Sequence, residues 1–122
     1  MIEEDETKFN SSLKTSDHIR TTCNEIGMWI AQDKLKVAHR QLYMMNNEIS
    51  GWYYKKNKLE LFEPLKGIET SVDKLSANLN NDSTRYTYKV LLKNWLRRVT
   101  QECYKIGWFG EDKQNIYDSG RT

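Results

Sequence analysis

Apolar residues recur along this chain at alternating steps of three and four, the period of an amphipathic helix. Ile19, Cys23, Ile26 and Ile30 form a first stripe; Leu35, Ala38, Leu42, Met45, Ile49 and Trp52 form a second, longer one. No proline, and no glycine except Gly27, interrupts residues 17–50. With Asp17 as N-cap, the pattern predicts one helix over 17–54, about 57 Å long at 1.5 Å per residue. A kink near Gly27 or Gln32–Asp33, where the stripe changes phase, fits the same pattern. Pro64 suits a first helical position, and Leu65, Ile68, Val72, Leu75 and Leu79 predict a second helix over 64–79. In "NNDST" (80–84) an Asn can take a left-handed C-cap, and Asp82 or Ser83 can cap the next helix. Tyr88, Leu92, Trp95, Val99, Cys103 and Ile106 then mark a third helix over 84–106, ended by Gly107. The expected fold is all-α: an antiparallel bundle of about three helices within residues 17–110, flanked by an acidic arm (1–16) and a polar tail (111–122).

Helix lengths carry this expectation further. The second and third helices would measure about 24 and 35 Å, too short for both to cover the first along its whole length. Ile19, Cys23, Ile26 and Ile30 would then lie bare, and exposed stripes of that size mark interfaces. The expectation is a homo-oligomer, or docking on a larger protein complex, through those four residues.

Composition narrows the class. At 122 residues, with 38% hydrophobic and 30% charged side chains, the chain has the size of one domain with its own core. Four Trp, seven Tyr and three Phe argue against disorder. The longest apolar runs, Met28–Ala31 and Leu42–Met45, are far too short to span a membrane. The opening Met-Ile-Glu-Glu-Asp-Glu is acidic where a secretory signal would be basic. The expected setting is cytoplasmic, or within a viral or phage particle, a source that the Asn- and Lys-rich usage also fits. The charge is unevenly placed: residues 18–110 hold fifteen bases and nine acids, whereas 1–17 hold five acids and two bases.

Candidate chemistry is sparse. The two cysteines sit in "CNEIG" (23–27) and "CYKIG" (103–107), each with Cys and Ile three apart on a buried helix stripe. Neither belongs to a Cys-x-x-Cys, and His18 and His39 stand alone, so no metal site is expected. Both thiols read as reduced core residues. No Glu-x-x-His pair, Gly-rich phosphate loop or nucleophile signature occurs. No catalytic residue, cofactor or small-molecule substrate is therefore expected, and the protein reads as a non-enzyme.

The sharpest polar feature is basic. Arg85, Lys89, Lys93 and Arg97 follow at steps of four with Arg98 beside them, a candidate track for phosphates or for an acidic protein segment. "WYYKKNK" (52–58) interleaves aromatics with cations, making Tyr54, Lys55, Lys56 and Lys58 a second candidate. "GWYY" followed by lysines resembles phage recombination mediators of the UvsY type. That resemblance implies a small, helical, self-assembling binder of single-stranded DNA. The chain departs from the type in "GEDKQNIYDSG", which lacks its basic, aromatic C-terminal pattern. The acidic run Glu3–Glu6 reads as a solvated arm, or as a partner for the basic face. The leading functional expectation is a non-enzymatic assembly or adaptor subunit. The alternative is a nucleic-acid-binding accessory protein.

Overall fold

Where the first stripe gives way to the second, the chain turns back on itself. In the computed structural model, which describes residues 16–108, α1 (Ser16–Ala31) and α2 (Leu35–Lys55) are separate helices. Asp33 takes the left-handed conformation, φ 65°. Its N–H donates to the Ile30 carbonyl at 3.0 Å, and the Lys34 N–H donates to the Trp29 carbonyl at 2.8 Å. That pair of bonds is a Schellman stop, with Asp in the place glycine usually takes because its short polar side chain tolerates the left-handed region. The expected continuous helix over 17–54 is thus two helices. Gly27 is not the break: it lies inside α1, facing the Leu96 side chain.

The other ends follow the same local chemistry. α2 stops with Asn57 at φ 58° and the Lys58 N–H on the Tyr53 carbonyl at 2.9 Å. A 3-10 turn, Leu59–Phe62, leads into α3 (Glu63–Ser76), which carries Pro64 in its first turn. Asn81, rather than Asp82 or Ser83, caps α4 (Asp82–Lys105), its Oδ1 accepting from the Thr84 N–H at 3.1 Å. Gly107, at φ 82°, closes α4.

Side-chain pairs give the topology. Asp33 meets Arg85, Gly27 lies by Leu96 and Cys23 by Thr100, so α1 runs antiparallel to α4. His39 pairs with Tyr88, Asn46 with Trp95 and Tyr53 with Glu102, so α2 and α4 run parallel. Asp73 meets His39 while Glu69 meets Asn46, so α3 is antiparallel to both. The described residues form an all-helical, up-down-up-down bundle of four helices rather than three. The parallel α2–α4 diagonal is in direct contact, with α1 and α3 packed onto it.

The core lies along that diagonal. Leu42, Met45, Ile49, Leu92, Trp95 and Val99 are buried there with Leu65 and Val72 of α3. Each such aliphatic side chain stabilises the fold by roughly 1.5–3 kcal/mol. Tyr53, not Trp52, finishes the α2 stripe; Trp52 is half-buried. Ile19 and Ile26 are fully buried, Ile30 is 2% exposed, and Cys23 is half-buried beside Thr100. The bare stripe expected of α1 is therefore covered by the chain itself. Folding α1 back removes the length mismatch from which the exposure of these four residues was expected.

Candidate interaction surface

Inside the bundle, the polar side chains are matched to one another. His39, Asn46 and Tyr53 stand seven residues apart on α2, and Tyr88, Trp95 and Glu102 stand seven apart on α4. They meet as three rungs. His39 Nδ1 lies 2.8 Å from the Tyr88 hydroxyl, and its Nε2 lies 3.0 Å from Asp73 Oδ1. Trp95 Nε1–H donates to Asn46 Oδ1 at 3.1 Å, and Asn46 Nδ2 donates to Glu69 Oε1 at 2.9 Å. The Tyr53 hydroxyl donates to Glu102, whose other oxygen lies 3.3 Å from Lys105 Nζ. The His39 ring also stands edge-on to Tyr88 and Trp95.

Burial, then the Asp73 charge, pushes the Tyr88 phenol up to about 12. Burial, then the hydrogen bond to Glu102, pushes Tyr53 up further. Both phenols therefore stay protonated at neutral pH. Both nitrogens of His39 are engaged, so it presents neither to a ligand. These groups specify the α2–α4 register.

The basic face divides. Arg85 reaches Asp33 Oδ2 at 2.5 Å, and Lys89 lies 3.6 Å from Asp33 Oδ1. The Arg85 hydrogen bond, aided by the Arg85 and Lys89 charges, holds the Asp33 carboxyl below its ordinary range. Lys93 and Arg97 point outward instead, Arg97 touching Asn94 Oδ1 at 3.1 Å, while Arg98 is half-buried on another side. The reason is helical arithmetic: steps of four overshoot a 3.6-residue turn by about 40°, so Arg85 and Arg97 differ by about 120°. The outward stripe of α4 is Tyr86, Val90, Lys93, Arg97 and Gln101, with Tyr86 71% and Val90 37% exposed. The expected single track of five cations is thus two outward cations beside two exposed apolar side chains.

The second candidate lies at the C-terminal corner of α2. Tyr54 is 71% exposed, and Lys55, Lys56 and Lys58 are exposed, with Lys56 Nζ 5.5 Å from the centre of the Trp52 ring. Exposed Leu59 and Leu61 follow on the 3-10 turn.

The thiols are core groups. Burial pushes Cys23 up to about 11, partly opposed by its contact with Thr100, and raises Cys103 well above its usual value. Among the described residues no three His, Cys, Asp or Glu side chains gather as metal ligands, and no helix is long and apolar enough to cross a membrane. Surface clefts of about 200 Å³ and 280 Å³ open beside Glu25, Gln41 and Met44, and beside Lys34 and Leu79. The acidic run Glu3–Glu6 and the tail 111–122 lie outside the described residues.

Sequence reasoning passed over Asn46, Glu69, Asp73 and Glu102. The signal available was the seven-residue spacing of polar positions on two helices. Compared with protein-family models, curated proteins and solved structures, the chain matches none.

Proposed function

We propose that the protein is a non-enzymatic adaptor that docks an acidic, amphipathic segment of another protein on the outer face of α4. The observation that carries this reading is the stripe Tyr86–Val90–Lys93–Arg97, where exposed apolar side chains adjoin two outward cations. The cations suit carboxylates of the partner, and the exposed Tyr ring and Val side chain suit its apolar side. Nucleic-acid binding is the second reading. It is favoured by Tyr54 and the lysines beside it. It is disfavoured by Asp33, which puts a carboxylate between Arg85 and Lys89, where a phosphate would have to sit.

The test is fluorescence anisotropy with two labelled probes, a Glu/Leu-patterned helical peptide and an oligothymidylate, each over a salt series. The peptide should bind and lose several-fold affinity in Lys93→Glu/Arg97→Glu and in Tyr86→Ala. Oligothymidylate bound more tightly than the peptide, with a log–log salt slope of about −0.7 per phosphate contact, would establish the second reading instead. Peptide binding indifferent to all three substitutions would remove the α4 face from consideration.

A further inference from the structure

One end of the bundle gathers the start of α1 and the C-termini of α2 and α4, because α1 is antiparallel to both. At that end Lys55, Lys56 and Lys58 crowd four consecutive positions, all exposed, and none forms an ion pair among the described residues. Three like charges so close repel one another unless an anion or solvent intervenes. Tyr54, Leu59 and Leu61 add exposed apolar surface beside them. The lysines thus sit on a corner that is both cationic and apolar.

The sequence supplies a segment of matching chemistry on the same side of the fold. Residues 2–9 read Ile-Glu-Glu-Asp-Glu-Thr-Lys-Phe, four consecutive acids between two apolar residues. Measured from the Asp33 turn, the 16-residue α1 extends about 24 Å and α2 reaches Lys55 at about 31 Å. With neighbouring helices 8–10 Å apart, Ser16 lies roughly 12 Å from Lys55. The ten residues from Glu6 to Ser16 can span up to about 33 Å. The reach is ample.

We propose that this lysine corner is the docking site of the chain's own acidic segment, with Glu3–Glu6 against Lys55, Lys56 and Lys58, and Ile2 and Phe9 against the adjoining apolar side chains. A tether this short makes the contact intramolecular, with an effective concentration on the order of millimolar. A second copy's segment would compete at the far lower bulk concentration. Any anionic ligand of the corner would first have to displace the segment. The inference concerns a different surface from the α4 face and stands or falls separately from the adaptor reading.

Zero-length carbodiimide crosslinking tests it, on the full chain mixed in equal parts unlabelled and ¹⁵N-labelled, with crosslinked peptides mapped by mass spectrometry. The expected products join residues 3–6 to Lys55, Lys56 or Lys58 within one isotopic form. Their yield should fall several-fold at 0.5 M salt, where screening acts within about 4 Å. The variant Glu3→Gln/Glu4→Gln/Asp5→Asn/Glu6→Gln substitutes no residue of the four helices, and circular dichroism checks its fold. In it, acetylation of the three corner lysines should speed up several-fold while that of Lys93 stays constant. Crosslinks from residues 3–6 to Lys93, isotopically mixed crosslinks alone, crosslinks to the corner only from Glu111 or Asp112, or unchanged lysine reactivity would each overturn the proposal.

Discussion

The middle rung of the α2–α4 ladder makes the most exacting prediction. Asn46 is fully buried, accepting from Trp95 Nε1–H and donating to Glu69. Replacing it with Ala leaves the indole N–H of a fully buried Trp95 without an acceptor, which costs about 1–3 kcal/mol. Glu69 is half-buried and can turn to water, so its lost bond adds no more than about 1 kcal/mol. Asn46→Ala should therefore lose about 2–3 kcal/mol, or roughly 8–12 °C in Tm for a chain of this size. Trp95→Phe removes the donor, so Asn46→Ala made on that background should cost less by about 1–2 kcal/mol. Urea unfolding followed by circular dichroism at 222 nm measures all four corners of the cycle. Additivity within about 0.5 kcal/mol would mean that the rung contributes nothing as a pair.

Asn46→Asp sharpens the case. A carboxyl at this buried position beside Glu69 has its pKa raised by desolvation and like charge. Its favourable protonated form is then lost as pH rises through the folded-state value. The deficit against wild type should be largest at neutral pH and shrink on acidification. A deficit independent of pH would refute the placement of Asn46 between Glu69 and Trp95.

Three further outcomes follow from single contacts. A Cβ at Gly27 would stand 3.6 Å from Leu96 Cδ2, an ordinary contact, so Gly27→Ala should stabilise α1 by about 0.5–1 kcal/mol; a loss of more than that would misplace α1 against α4. Arg85→Ala should let the Asp33 carboxyl titrate nearer its ordinary range by NMR, and an unmoved titration would deny the pair. Since the folded-state value lies below the unfolded one, the pair's contribution is present above the unfolded carboxyl range and fades as pH falls through the folded value. Cys23 and Cys103 should resist a thiol reagent at pH 8 until the chain unfolds, and Cys23→Ala/Cys103→Ala should lose only about 1–2 kcal/mol; rapid labelling of the native protein would contradict their burial.

Helix identity and buried faces were legible in the sequence because they depend on a period repeated over several turns of each helix. Tyr88, Leu92, Trp95, Val99 and Cys103 are buried as the spacing predicts, and so are Leu35, Ala38, Leu42, Met45 and Ile49. What escaped was decided by single residues. Asn81 competes with Asp82 and Ser83 for one cap, and propensity scarcely separates the three. Asp33 ends a helix in a conformation more often given to Gly or Asn. The candidate surface was legible as a set of cations, but not as a face. Which cations are neutralised depends on Asp33, fifty-two positions from Arg85 in the chain.

Three phase relations explain most of the rest, and all come from the same 100° per residue. From Ile30 to Leu35 the pattern steps by five, which in an unbroken helix would swing the second stripe about 140° away from the first. One straight helix would need two partners on two faces; a turn at Asp33 lets both stripes enter one core. The cations of α4 step by four and drift about 40° each time, so Arg85 and Lys89 lie towards exposed Asp33 at the α1–α2 turn while Lys93 and Arg97 point away from it. The ladder steps by seven and drifts only about 20° per rung. Over the three rungs that α2 and α4 can accommodate, His39, Asn46 and Tyr53 therefore keep facing Tyr88, Trp95 and Glu102 at one constant offset. A spacing of seven shared by the polar residues of two helices thus carries register between them, and a spacing of four among surface charges does not define a surface.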